Sequence, residues 1–301
     1  MTTQAHFVQS AAPALPADHS LVKRSFASEL RALGMMALKE WTIFRRYPSW
    51  VFGFIVWPLI FPLGSIFTAR ALSGPDQASL PAFEALSGTS NYVVYIVVGL
   101  TLYMWLNITL WDVGFQLRNE QMRGTLESNW LCPIWRFSIL LGPSLTKLLT
   151  SLVFMLIAVL EYGLIFGNWI VNSNSGLVLL IMLLVIPSIY GIGIAFGSLV
   201  IRFQEASTMV FLVRGIFMIF TGVSYPLAVM PEWMQWVAAC LPLTYAVHAI
   251  RQVTLNGATF TAIRYDLTML LLFAIGLSIL GYWVFQFTER RARRTGSLGK
   301  Y

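Results

Sequence analysis

The charged residues that could do chemistry in this chain are concentrated in one short segment. Residues 117–133 read LRNEQMRGTLESNWLCP and contain Arg118, Glu120, Arg123 and Glu127. Glu120 and Arg123 are three positions apart and Arg123 and Glu127 are four apart, which places all three on one surface of a helix. This pattern predicts a polar helix that docks on a partner protein. The alternative is a solvated connecting helix stabilised by its own ion pairs.

The other polar residues do not indicate an enzyme. The three histidines, His6, His19 and His248, are dispersed, whereas metal sites need clustered ligands. The only Gly-Lys pair is followed by Tyr301, whereas a phosphate-binding loop needs Ser or Thr at that position. We therefore expect no catalytic residues, no metal and no cofactor on this chain.

Glu161 is the one acid well inside an apolar run. A charged group at the centre of a membrane helix costs about 2.5–3.5 kcal/mol, so this side chain should face protein, water or lipid headgroups. An alternative function is therefore an ion-driven secondary carrier, in which Glu161 takes up and releases a proton. A membrane scaffold without transport is a further alternative.

The composition predicts an all-α polytopic membrane protein. Hydrophobic residues make up 57% of the chain, charged residues 11%, and the mean hydropathy is +0.70, whereas a soluble domain carries about 25% charged residues. A helix needs about 20 apolar residues to cross the hydrocarbon core. The uncharged runs predict six transmembrane helices, at about Trp50–Ala69, Tyr92–Trp111, Ile139–Phe166, Leu177–Val200, Ser207–Val229 and Leu267–Thr288.

The basic residues predict how these spans are oriented. All of the 20 Lys and Arg residues except Arg70, Arg251 and Arg264 fall on one side of the membrane in this topology. Because excess positive charge stays in the cytosol, we expect a multi-pass protein of the cell (inner) membrane with both termini cytosolic. The net charge of +7 then reflects contact with anionic membrane lipids, and no nucleic acid is expected as a partner.

Two further segments complete the predicted architecture. Apolar residues recur in steps of three and four from Val22 to Phe44, which indicates an amphipathic helix at the membrane interface. Between Gly222 and Gln252, prolines break an apolar stretch into pieces that are too short to span and suit an external re-entrant helical hairpin. The predicted divisions are a disordered cytosolic tail (1–20), the interface helix (21–47), the transmembrane domain (48–289) and a basic cytosolic tail (290–301).

The charged segment resembles the cytosolic coupling helix of type-2 ABC exporter permeases, the class that includes O-antigen, teichoic acid, Nod-factor and drug exporters. The family pattern E-x-x-x-G-T-L-E, followed by a proline, is matched by Glu120, Gly124, Thr125, Leu126, Glu127 and Pro133. A second match is LPLTYAVHAIRQ, residues 241–252, which is similar to the segment that precedes the last span in the family.

This resemblance implies the permease subunit of an ATP-driven exporter that moves a lipid, a lipid-linked glycan or a hydrophobic drug-like compound. Two copies of this chain, a homodimer of half-transporters, would work with two separate ABC ATPase subunits, which bind ATP and Mg. The residues implied to contact the ATPase are Glu120, Gln121, Arg123, Gly124, Thr125, Leu126 and Glu127. Those implied to line the pathway between the two copies are Tyr95, Thr101, Asn107, Phe217, Phe220 and Tyr225.

Overall fold

The computed structural model describes residues 25–74, 78–132, 134–167, 174–200 and 206–295, and these residues are helical with no strand. The predicted tail at residues 1–20 lies outside the described residues, as do Pro133 and the end of the basic tail beyond residue 295.

Twelve α-helices follow one another along the described chain. They are α1 (Phe26–Arg46), α2 (Ser49–Leu72), α3 (Leu80–Ser87), α4 (Tyr92–Asp112), α5 (Gln116–Met122), α6 (Leu126–Leu131), α7 (Ser138–Phe166), α8 (Ser175–Val200), α9 (Ala206–Phe220), α10 (Glu232–Ala239), α11 (Pro242–Asn256) and α12 (Arg264–Thr295).

Five of the described helices, α2, α4, α7, α8 and α12, are long and apolar enough to cross a membrane. They coincide with five of the predicted spans, and the all-helical membrane class is confirmed. The predicted helix from Ser207 to Val229 is wrong at its end, because α9 stops at Phe220 after 15 residues. Gly222 follows with a positive φ of 63°, and the chain turns there instead of continuing the helix.

Helix α4 is the centre of the described bundle. Most of its side chains are buried, and α2, α7, α8, α9 and α11 pack around it. Helix α9 runs antiparallel to α4: the Phe211 ring meets the Trp111 ring at a centroid distance of 5.6 Å, and Tyr103 Oη donates to the Arg214 carbonyl at 3.5 Å. The two ends of α4 therefore define two ends of the bundle, and a different polar cluster lies at each.

Helices α8 and α12 make a close pair through two glycines. A Cβ atom placed on Gly281 would lie 2.7 Å from the Gly191 carbonyl oxygen, and one on Gly191 would lie 2.6 Å from the backbone of Leu277. Small residues allow this separation because the two backbones touch directly.

Helix α1 packs along α7. A Cβ on Gly142 would overlap Met36, and Thr146 Oγ1 donates to the Ala37 carbonyl at 2.9 Å. One side of α1 is thus fixed to the bundle, and the opposite side remains exposed.

At the end of the bundle where α4 begins, the connections from α2 to α4 and from α9 to α12 contain short helices. Helix α3 lies in the connection between α2 and α4. In the 222–252 stretch, Pro231 directly precedes α10 and Pro242 is the first residue of α11, so the predicted proline breaks are confirmed.

Candidate functional site

The charged segment forms two short helices and not one. Helix α5 ends at Met122, α6 begins at Leu126, and Gly124 lies between them with a φ of 70°. The predicted single helical surface is wrong because this left-handed residue turns the chain. We call residues 116–137 the α5–α6 loop.

Glu120 is the centre of this loop, with a side chain that is 1% exposed. Its Oε1 accepts from Lys39 Nζ on α1 at 2.7 Å. Its Oε2 accepts from Thr125 Oγ1 at 2.6 Å and from Asn129 Nδ2 at 2.8 Å. Because these partners come from α1, from the turn and from α6, one carboxylate holds the two short helices together and ties them to α1.

Two further contacts fix the second half of the loop. The Trp135 amide donates to Glu29 Oε2, near the start of α1, at 2.8 Å. Arg136 pairs with Glu289 on α12, with Nη1 and Oε1 at 2.8 Å. The α5–α6 loop is therefore attached to both α1 and α12.

The exposed part of the loop is its turn and the end of α6. Met122 is 64% exposed and Leu131 is 86% exposed, and the Arg123 side chain is 46% exposed. Gly124 and Ser128 are also on the surface. This small surface combines a cation with apolar side chains, which suits contact with another protein.

The structure divides the predicted coupling residues into two groups. Glu120, Gln121 and Leu126 are buried, so they position the loop and do not form its outer surface. Thr125 is half-buried and bonds to Glu120. Arg123 and Gly124 are exposed. The side chain of Glu127 lies outside the described part of the chain.

A second ion cluster joins α1 to the bundle beside this loop. Lys147 Nζ on α7 lies 3.6 Å from Glu40 Oε1 on α1 and 3.4 Å from Asp112 Oδ1 at the end of α4. One ammonium group thus links three helices at the end of the bundle that carries the α5–α6 loop.

The opposite end of the bundle is organised by Arg251 of α11. Its guanidinium donates to the carbonyls of Tyr95, Gly222 and Val223 at 3.0, 2.9 and 2.5 Å. It also lies 3.4 Å from the centroid of the Tyr95 ring. A guanidinium stays protonated at neutral pH. This residue ties the start of α4 to the end of α9.

Three of the six predicted pathway residues have buried side chains. Tyr95, Thr101 and Phe217 are buried, and they could meet cargo only if the surrounding helices separate. Asn107 is half-buried, with Oδ1 buried and unbonded in the described structure. Tyr225 is exposed, and its hydroxyl donates to Ile219 at 2.7 Å.

Phe220 and Glu161 complete the set of candidates. Phe220 packs edge to face on Trp233 with a centroid distance of 6.1 Å. Glu161 lies near the end of α7, and its Oε2 is buried without a hydrogen bond in the described structure. No group of three or more potential metal ligands occurs in the described residues.

Residues 65–283 match the sequence model of a family described as ABC-2 family transporter protein. This chain belongs to the ABC-2 transporter family. The match covers α4 to α11 completely, including the α5–α6 loop, and the long apolar helices agree with an ABC-2 permease that is embedded in a membrane.

Named relatives in the ABC-2 family are also permeases. The chain is 30% identical over 149 residues to a probable doxorubicin resistance ABC transporter permease, DrrC, from two strains of Mycobacterium tuberculosis, covering 48% of this chain and 52% of DrrC. It is 29% identical over 113 residues to a transport permease named ycf38 from Porphyra purpurea, covering 36% of each chain. The chain thus spans about half the length of DrrC and a smaller part of ycf38.

Lys39 and Arg251 are the two important residues that the sequence did not assign to a site. Lys39 is 81 positions from Glu120, and no local spacing could pair them. Arg251 gave a clearer signal, because a lone cation between Val247 and Val253 in an apolar helix needs an internal partner.

Proposed function

We propose that this chain is the transmembrane permease subunit of an ATP-driven exporter, and that the α5–α6 loop contacts a separate ABC ATPase subunit. The observation that carries the proposal is the construction of this loop. Glu120 fixes its base to α1 through Lys39, while Met122, Arg123 and Leu131 are exposed at its surface. A fixed loop passes a displacement to the helices that hold it, whereas a loose one would absorb it.

The proposed topology has six crossings with both termini in the cytosol. Five come from the long helices, and α9 (Ala206–Phe220) with the turn that follows it supplies the sixth. This is supported by the contacts that α9 and the turn after it make along α4, from Phe211 beside Trp111 to Val223 beside Gly99. The basic residues of α1 support a cytosolic position for α1 and for the α5–α6 loop, at the inner membrane.

In this arrangement α1 is the amphipathic interface helix, and α10 and α11 form the external re-entrant hairpin. Two copies of the chain would assemble with two ATPase subunits, and ATP and Mg would bind on those subunits. Membrane lipids would surround the spans.

The cargo we propose is a hydrophobic compound that enters from the membrane: a drug-like molecule, a lipid or a lipid-linked glycan. The printed name of DrrC refers to doxorubicin resistance, which supports a drug-like cargo for this chain. Of the six pathway candidates, Tyr225, which follows the end of α9, is exposed, and Phe220 and Asn107 are half-buried.

The first test is assembly with the ATPase. We expect the tagged permease, co-expressed with the ATPase of the same exporter, to co-purify with it. Leu131→Asp should remove most of the ATPase from the complex because it places a charge in the contact surface. Leu72→Asp is the matched control, since Leu72 is 78% exposed at the opposite end of the bundle. Equal retention of ATPase by the two variants would contradict the proposed contact.

A further inference from the structure

The exposed side of α1 carries a groove lined by Leu38, Trp41, Thr42, Arg45 and Arg46, with a volume of about 340 Å³. The opposite side of the helix is occupied, because Leu33, Met36 and Ala37 pack against α7. The groove therefore faces away from the protein.

Among the described residues, the two arginines of this groove have no carboxylate partner, unlike the lysines nearby. Lys39 pairs with Glu120, and Lys147 pairs with Glu40 and Asp112. Arg45 and Arg46 are exposed, and in the described part of the chain neither lies within 4.0 Å of an acidic side chain. Two guanidinium groups beside a groove form a suitable site for a phosphate, because their planar donors match its oxygens.

Aromatic side chains indicate where this groove lies relative to the membrane. Trp41 is in the groove, and Tyr47 and Trp50 follow it at the junction with α2, all three exposed. Trp and Tyr favour the headgroup level of a bilayer, with an apolar ring and a polar edge. The adjoining α2 is apolar and long enough to span, so the groove lies where a membrane helix leaves the hydrocarbon core.

We propose that this groove is a binding site for the headgroup of one anionic phospholipid of the adjacent leaflet. Arg45 and Arg46 bind the phosphate, and Leu38 and Trp41 contact the apolar part of the lipid next to it. The inference rests on α1 lying at the membrane interface, as in the proposed topology, and does not depend on contact with an ATPase.

The test is lipid binding to the full chain, measured by native mass spectrometry during titration with phosphatidylglycerol. Phosphatidylcholine with the same acyl chains and inorganic phosphate are titrated in parallel. We expect phosphatidylglycerol to bind more tightly than phosphatidylcholine, and Arg45→Gln and Arg46→Gln each to weaken it about fivefold. Arg31→Gln is the matched control, because Arg31 is exposed on the same helix outside the groove.

A second variant separates the shape of the groove from its charge. Leu38→Trp keeps both arginines and fills the groove, and it should also weaken binding of phosphatidylglycerol. Thermal unfolding of each variant in phosphatidylcholine should match the unmodified chain.

Three results would overturn the proposal. Equal affinity for the two lipids would show that no anionic headgroup is selected. An equal loss in Arg31→Gln and Arg45→Gln would show general attraction of a basic helix to an anionic surface. Displacement of the lipid by low concentrations of inorganic phosphate would show a site for a soluble anion. The co-purification test of the ATPase contact is independent of all three.

Discussion

Lys39 Nζ lies 2.7 Å from Glu120 Oε1, so the first described helix and the charged loop of this permease are joined by an ion pair across 81 positions of sequence. The Glu120 side chain is buried and that of Lys39 is about one third exposed. Removing one partner from such a pair leaves the other charge without compensation. The pair therefore fixes where the α5–α6 loop lies.

Glu120→Gln should destabilise the protein, because the amide carries no charge for Lys39. We expect a loss of about 2 kcal/mol in the free energy of unfolding, seen as a lower midpoint of thermal unfolding in detergent. Glu84→Gln is the control, since Glu84 is exposed on α3 and a surface change should stay within about 0.5 kcal/mol. An unchanged midpoint for Glu120→Gln would show that the pair contributes nothing to the fold.

Arg251→Met should be more severe, because three backbone carbonyls lose a charged donor at once. We expect a loss of about 3 kcal/mol or more in the free energy of unfolding. Arg251→Lys should recover only part of it, since one ammonium group lacks the planar fork of a guanidinium. Arg264→Met, at an exposed position of α12, provides the comparison. If both methionine variants unfolded at the same temperature, Arg251 would not hold α4 and α9 together.

Two glycines of α12 allow a matched test of helix packing. Gly281→Ala should destabilise the protein by about 1–3 kcal/mol, because its Cβ would lie 2.7 Å from the Gly191 carbonyl oxygen. Gly276→Ala meets no atom of the described residues within 4 Å and should be neutral or slightly stabilising. Thermal unfolding of the two variants in the same detergent measures the difference, and the same midpoint for both would argue against the close α8–α12 contact.

Glu161→Gln distinguishes ATP-driven export from an ion-driven carrier. We expect transport by the reconstituted permease and ATPase to stay within about twofold of the unmodified complex, because the proposed mechanism does not use a proton at this site. The measurement is uptake of labelled cargo into inverted vesicles with and without ATP. Transport by the permease alone that depends on a pH gradient and disappears in Glu161→Gln would favour the carrier.

The sequence predicted the long helices well because an apolar run of membrane length has few alternatives. It missed the end of α9, which depends on the backbone angle adopted by Gly222. Helix α3 does have signals in the sequence, because Pro81 near its start and Gly88 after its end are recognised helix boundary residues.

The sequence shows which segment carries the charged residues around Glu120, but it does not show the geometry of that segment. The residue types around Glu120 indicate a docking segment. Only the structure shows that Gly124 turns the chain and that Lys39 and Asn129 enclose the carboxylate. Contacts between residues far apart in sequence cannot be read from helical spacing.

The most direct test of the central claim compares two double variants in liposomes that contain the permease and its ATPase. Arg123→Gln/Leu131→Ser changes the exposed surface of the α5–α6 loop, and Phe260→Ser/Arg264→Gln makes a matched change at exposed positions of the opposite end. The measurement is the amount of cargo moved for each ATP hydrolysed. We predict that this ratio falls at least about tenfold, the effect of losing about 1.4 kcal/mol of interaction, in the loop variant and is unchanged in the control. An unchanged ratio in the loop variant, with normal amounts of folded complex, would contradict coupling through this loop.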